Sequence, residues 1–506
     1  MSSDKKEATL GRVLKYTGLF GGVQGLCVLL SILRTKLTAV LLKVGGMGLI
    51  DSYSRTTEMV GAATNFGISF SAVQHISRLH DAGNTIAINH YVRLVRSWVL
   101  LAALVGGAVM AVFAPLWSFL MFENFEHTLP FLALSPLVMF STISGGEMAV
   151  LKGLRSLKSI AFISALISFT TLIITAIFYW QLGLSGIIPA LVISSGVACF
   201  CHWSAARKKV RYEVCLNSWR FLRRGLRMVR MGLAYALSGF VATGGEVLVR
   251  SFLYRFSDQV GLPGEEAVGI YAAGFSLIIS YARLLLSSLD ADYYPRLSAA
   301  STDVSRQNVA VNRQIDVLVL LMAPFLMLYC LLLPFVLRIL YTSDFVAAIP
   351  MALAASFYMF FKAVSTPIAY LALAHARSRM YLIVESSHVL VFVLSATLGF
   401  YWGGFRGAGL GLSLSYVIYF FTVWLVYGRA FGFRFEAATL HRVGWQFLLL
   451  LGAIVSLSYL PEAYDHWAAI LFFLLSATLS WRLLTRHVHL PERFRRFLGK
   501  GKSEEE

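Results

Sequence analysis

Fourteen apolar stretches divide the chain, at 13–42, 53–75, 96–116, 128–151, 158–180, 185–205, 231–254, 268–290, 315–337, 346–374, 381–402, 407–428, 444–460 and 467–485. A helix crosses the hydrocarbon of a bilayer with about 20 apolar residues. Each stretch can therefore span, the first with room to tilt and the thirteenth with little to spare. Lipid offers no partner to a bare peptide group, so a stretch of this length spans as a helix. Composition agrees, since 58% of the 506 residues are hydrophobic and 14% are charged, where soluble domains carry about 25% charge. The expectation is an all-α polytopic membrane protein of about 14 transmembrane helices.

Charge orients this layout. An even number of crossings puts both ends on one side, and with the N-terminus inside, 34 of the 44 Lys and Arg fall on the inner side. That asymmetry is the one seen for cytoplasmic loops, so both termini are read as cytoplasmic. The same asymmetry accounts for the net charge of +18 without nucleic acid, which a soluble chain so basic would suggest. The N-terminal Met-Ser-Ser-Asp-Lys-Lys leads into an apolar run without a small-residue cleavage site, so it reads as a retained first span. None of the five cysteines has metal-ligand spacing backed by histidines, so no metal or cofactor is expected. Outer loops are short, the longest candidate being 256–266, which leaves no room for an extracytoplasmic catalytic domain.

An internal repeat is visible. Phe178-Tyr179-Trp180 recurs as Phe400-Tyr401-Trp402, an offset of 222, and the same offset maps Arg155 onto Arg377; an offset of 221 carries Gly48 to Gly269 and Arg34 to Arg255. Repeats of six spans run parallel and imply two pseudo-symmetric six-helix lobes around a central cavity, with two helices added at the C-terminus. The boundaries read as 1–210 for the first lobe, 211–230 for a basic linker, 231–428 for the second lobe and 429–506 for the last two spans and basic tail. In the linker, Trp219, Leu222, Leu226 and Val229 recur at helical spacing with Arg220, Arg223, Arg224, Arg227 and Arg230 between them. That pattern fits a helix lying on anionic headgroups, or a solvated basic loop. Arg493-Phe-Arg-Arg-Phe-Leu is a weaker version.

Ionisable residues within spans are costly and point to a pathway. The candidate cations are Arg34, Lys36, Arg55, Arg250, Arg283 and Lys362, and the candidate acids for a cavity or a coupled ion (Na+ or H+) are Glu147, Glu246 and Glu58. Glu246 and Arg250 are spaced to pair on one helix face, as are Arg55 and Glu58; Glu385 and His388 share a face near an inner boundary. Residues 34 and 36 lie about 200° apart on a regular helix, so both can face one cavity only if the first span bends. A bent or tilted first helix is expected, with Arg34 the stronger cavity residue and Lys43 snorkelling to the outer interface. Gly18, Gly22 and Gly25 suggest a closely packed face.

Leu33-Arg-Thr-Lys-Leu-Thr-Ala-Val-Leu-Leu42 with Gly45-Gly-Met-Gly48, Lys152-Gly-Leu-Arg155, Gly269-Ile-Tyr-Ala-Ala and Asp292-Tyr-Tyr-Pro-Arg-Leu-Ser298 resemble the polysaccharide transporter branch of the multidrug/oligosaccharidyl-lipid/polysaccharide flippase superfamily, and within it the Wzx-type O-antigen flippases. The resemblance implies a non-enzymatic, alternating-access flippase of the bacterial cytoplasmic (inner) membrane. Its partners would be undecaprenyl-pyrophosphate-linked oligosaccharide, membrane lipids and other polysaccharide-assembly proteins around a monomer. By position, Arg34 and Lys36 match the span-1 cations that line the cationic cavity of related lipid II flippases. The competing readings are a lipid II flippase, an ion-coupled small-molecule exporter and, from another class, a membrane glycosyltransferase or polymerase, which the short outer loops and the repeat disfavour.

Overall fold

A computed structural model describes the backbone of residues 3–487 except 302, 376 and 462, and side chains from residue 22 onward except 227, 231, 234, 279–292, 295, 378 and 486–487. Arg283, Gly18 and the 493–498 stretch lie outside the described side chains.

The described residues form helices and no strands. In order these are α1 (Ser3–Thr64), α2 (Ile68–Asp81), α3 (Thr85–Val112), α4 (Ala114–Phe122), α5 (Thr128–Ala133), α6 (Ser135–Gly153), α7 (Leu157–Leu182), α8 (Ile187–Arg207), α9 (Trp219–Arg255), α10 (Gly264–Ala300), α11 (Val304–Leu340), α12 (Ile349–Ala354), α13 (Ser356–Ala374), α14 (Ser378–Phe431), α15 (Ala437–Tyr459) and α16 (Asp465–His487). Ten stretches are long and apolar enough to cross a membrane. Three of the ten hold two span-length segments each, divided at Lys43, at Gly183 and at Gly403–Gly404. With α10 counted, the fourteen crossings of the sequence reading are present.

The first break shows how residue choice sets the topology. A straight helix of 62 residues would run about 90 Å, three times the hydrocarbon thickness. The chain breaks at Lys43, whose φ of 56° and ψ of −164° lie in a region nearly reserved for glycine and cost about 1–3 kcal/mol. Helix resumes at once, so Gly45, Gly46 and Gly48 are helical and the link expected over 43–52 is a single residue. These glycines serve close packing: a Cβ on Gly48 would lie 1.8 Å from Glu265 O, and one on Gly269 would lie 2.2 Å from Val44 O. No break falls between residues 34 and 36, so the bend expected there is replaced by the turn at Lys43. Gly22 and Gly25 have nothing within 4 Å of a built Cβ, so that face is open and not tightly packed.

The repeat has a backbone signature. Gly183 ends α7 at φ 57°, ψ −130°, and Gly404, 221 residues later, has φ 55°, ψ −142°. Around the second turn α14 folds back on itself, with Gly399 against the Gly407 carbonyl and Gly411 against the Ser395 carbonyl.

Contacts group the chain into two units, Met1–Ala272 with Leu337–Val346, and Ala273–Val336 with Ala347–Glu506. In the first, α1 packs on α7 and α9, α3 on α6, α6 on α8, and α2 on α6 and α9. In the second, α13 packs on α14, α12 on α14 and α15 on α16. Helix α9 thus packs with the first unit, although the repeat assigns it to the second half. The linker is not a separate surface helix either. From Ser218, whose Oγ caps the Phe221 N–H at 3.3 Å, residues 219–230 are the opening turns of α9. Leu222 and Met228 are buried there, four of the arginines (220, 223, 224, 230) are exposed, and Trp98 Nε1 donates to Leu222 O at 3.0 Å.

Candidate functional site

A cavity of 440 Å³ opens inside the first unit, within the range of small-molecule sites. Its wall is Ser54, Thr57, Glu58, Gly61, Ala62 and Asn65 from α1 and its end, Ile68 and Ser69 of α2, Val99 of α3, Leu137, Ser141, Thr142 and Gly145 of α6, and Ser195 of α8. More than half of these are polar, in helices otherwise built for lipid. Thr57 donates to Ser54 O at 2.8 Å, Ser141 and Thr142 to Val138 O at 3.0 and 2.8 Å, and Ser195 to Leu137 O at 3.3 Å. The bonds of Thr57, Ser141 and Thr142 run back to their own helix, which lets a hydroxyl sit among apolar residues, and that of Ser195 crosses from α8 to α6. Glu58 was named in the sequence; the hydroxyls were not. The usable signal was their spacing at one helix face, Ser54, Thr57, Gly61 and Ser141, Thr142, Gly145.

Beside this wall an ion network joins α1 to α9. Arg250, whose side chain is 0% exposed, pairs through Nε with Asp51 and through Nη1 with Glu246, 3.6 Å from its carboxylate and 3.0 Å from its carbonyl oxygen. Arg55 lies 3.5 Å from Asp51, 2.9 Å from Glu58 and 3.2 Å from Glu246. The two local pairs of the sequence reading are thus one network, completed by Asp51, which sequence reasoning placed in a loop. Its three carboxylates face two guanidinium groups.

Glu147 is equally engaged. Arg96 grips it with two bonds, Nε to Oε1 at 2.8 Å and Nη2 to Oε2 at 2.9 Å, and both side chains are 3% exposed. Arg96 also donates to Arg211 O at 2.7 Å and lies 4.7 Å from the Tyr212 ring centroid. The arginine counted among inner-side charges is therefore a buried partner, and it anchors the segment that follows α8.

Arg34 and Lys36 separate as their angular spacing requires. The Lys36 ammonium donates to Arg338 O at 2.7 Å and to Tyr341 O, at the carbonyl-rich end of α11, where the helix dipole favours a cation. Arg34 is exposed, with Tyr179 in electrostatic reach and no carboxylate partner among the described residues. Lys43 sits at the turn itself.

In the second unit Lys362 lies 5.6 Å from the ring centroids of Tyr358 and Tyr416, an arrangement suited to cation–π attraction. Glu385 is within its electrostatic reach and accepts from Tyr419. His388 packs 4.6 and 4.5 Å from Tyr416 and Tyr419. Glu385 and His388 are therefore parts of an aromatic cluster. No group of His, Cys, Asp and Glu among the described residues has a metal-binding arrangement.

Comparison with known proteins bears on this arrangement. A family model described as polysaccharide biosynthesis protein matches residues 38–350, more than half of the chain, and the chain belongs to that family. Its fold is shared with a lipid II flippase, MurJ, in an inward closed conformation (14% identity, TM-score 0.66, 94% of this chain and 99% of that one). It is also shared with an inward-facing multidrug resistance MATE family transporter of the MOP superfamily (14% identity, TM-score 0.64, 81% and 94%) and with the Vibrio cholerae MATE transporter VcmN (14% identity, TM-score 0.57, 82% and 97%). No curated protein sequence matches the chain. The Wzx-type resemblance is supported by the family and the fold together, and the long apolar helices make the chain a multi-pass membrane protein.

Proposed function

We propose that the protein moves an undecaprenyl-pyrophosphate-linked oligosaccharide, an O-antigen or other surface-polysaccharide unit, from the cytoplasmic to the periplasmic leaflet of a bacterial inner membrane by alternating access. The observation that carries this reading is the hydroxyl-lined cavity in a chain of a polysaccharide biosynthesis family. A saccharide resists crossing hydrocarbon because each hydroxyl must give up water, at a cost of kilocalories per unpaired group. A polar cavity supplies replacement bonds, while the polyprenyl tail stays in lipid. No covalent bond changes, so no catalytic residue is required.

Arg34 is the cation proposed to meet the pyrophosphate, since it is exposed and no described carboxylate holds it. Arg–phosphate pairs are short and charge-assisted. Arg55 and Arg250 are assigned to holding α1 on α9, and Lys36 to the end of α11. Both termini on the cytoplasmic side follow from the charge asymmetry. Lipid II as cargo is the second reading, because it shares the polyprenyl pyrophosphate and the fold is that of a lipid II flippase.

Depletion in the native host tests the proposal. Surface polysaccharide should fall while the lipid-linked unit accumulates on the cytoplasmic side. Lysis with intact polysaccharide display would transfer the assignment to lipid II. Accumulation of a shortened glycan instead of a complete unit would mean a glycosyltransferase, and the proposal would fail.

A further inference from the structure

Four of the cavity's six hydroxyls are spent as donors. Thr57, Ser141, Thr142 and Ser195 have each committed their proton to a backbone carbonyl. A hydroxyl so committed offers a ligand only lone pairs. Glu58 adds a carboxylate, more than half exposed, with Oε2 taken by Arg55. With Glu58 included, the network's described residues are three carboxylates (Asp51, Glu58, Glu246) and two guanidinium groups (Arg55, Arg250). The counterweights are Asn65, whose Oδ1 accepts from Gly67 N at 2.8 Å and leaves its amide nitrogen a donor, and the Ser54 and Ser69 hydroxyls of the same wall, which can still donate.

We infer that this cavity takes a donor-rich sugar, uncharged or amino-bearing, and turns away sugars that carry a carboxylate or phosphate. The inference rests on the lipid-linked saccharide reading and specifies its cargo. Sugar hydroxyls, amides and ammonium groups bring protons to Glu58 and to the four committed hydroxyls. A carboxylate brings only acceptors, so at these four hydroxyls and Glu58 acceptor would face acceptor beside a like charge, and both would stay unpaired out of water. By the same argument the pyrophosphate is held outside the cavity. Gly61 gives a handle on occupancy, because a Cβ built there meets nothing within 4 Å and a larger side chain would enter the open space.

The probes are undecaprenyl-pyrophosphate-linked N-acetylglucosamine, glucosamine and glucuronic acid, bound to the detergent-purified full chain and read by native mass spectrometry. The first two should bind at least about tenfold more tightly than the third, and Glu58→Gln should narrow the gap. Gly61→Leu should lose saccharide binding about tenfold while binding sugar-free undecaprenyl pyrophosphate as the native protein does. Thr57→Val/Thr142→Val, close in shape, should weaken the glucosamine probe if the leucine variant fails to fold. Equal binding of the glucuronic acid probe by the native protein overturns the inference whatever the variants do. Leaflet movement of the same probes in proteoliposomes is the separate readout. Selective binding without movement refutes the flippase reading and leaves the cavity assignment standing.

Discussion

Removing Glu147 separates two roles that an intramembrane carboxylate can have. The structure gives it a structural one: Arg96 holds both its oxygens at 2.8 and 2.9 Å, and both side chains are almost fully buried. In Glu147→Ala the guanidinium keeps only the Val210 and Arg211 carbonyls, at 3.3 and 2.7 Å, and the Tyr212 ring. Stripping one partner from a buried pair costs about 3–5 kcal/mol. Removing both charges in Arg96→Met/Glu147→Met should cost much less than the sum of the single changes, with a coupling of about 1–3 kcal/mol. The assay is a double-mutant cycle on thermal unfolding of the detergent-purified protein. Limited trypsin cleavage supplies a local readout, because loss of the pair should expose the segment around Arg207–Arg211. An ion-coupling acid would behave otherwise, with Glu147→Gln stopping transport at native stability. Native-like stability of the single variants, or strict additivity, would refute the structural assignment.

Other expectations follow from the same geometry. Asp51→Asn should lower thermal stability by about 1–3 kcal/mol, because the fully buried Arg250 would lose Asp51 and keep Glu246 at 3.6 Å; Asp51→Leu/Arg250→Met should recover part of the loss. Lys36→Met should cost about 1–3 kcal/mol of stability through its carbonyl bonds, whereas Arg34→Ala should melt like the native protein yet lower surface polysaccharide. Unchanged display at normal expression would remove Arg34 from the transport role. His375 lies beyond the end of α13, and its Nε2 donates to Gln307 Oε1 at 2.7 Å. Burial first, and Arg377 second, pull its pKa below the ordinary value, near 6.5 for histidine. The unfolded chain therefore takes the proton first. The contribution is intact above about pH 6.5 and declines as pH falls through the folded value. His375→Gln should flatten the melting profile between about pH 7 and 5, and an unchanged slope would exclude His375 as its source.

The spans were legible because each needs only a long apolar run, which composition reveals without knowledge of neighbours. Their junctions were less so. Residues 43–52 lay between two apolar stretches, yet the turn is Lys43 alone and the glycines serve contact with Glu265 and Gly269. Asp51 was missed for that reason, since a residue placed in a loop is not sought as a partner for a buried arginine. Spacing found Arg55–Glu58 and Glu246–Arg250, which are local, but the contacts that fuse them cross between α1 and α9. Arg96 was hidden by the rule that explains most cations here, because it opens the apolar stretch 96–116, a place that fits a cytoplasmic charge as well as a buried one. The cavity hydroxyls were the hardest to see, since Ser and Thr bonded to backbone carbonyls leave no charge or motif in the sequence.

The central claim is that a saccharide headgroup changes leaflet with its covalent structure intact. Purified protein reconstituted with undecaprenyl-pyrophosphate-linked N-acetylglucosamine in one leaflet, and probed by a membrane-impermeant lectin, tests it directly. The account predicts protein-dependent exposure of the sugar in the opposite leaflet, with an unchanged mass and a slower rate for Arg34→Ala. A distribution no different from protein-free liposomes, or a new glycosidic product, would contradict it.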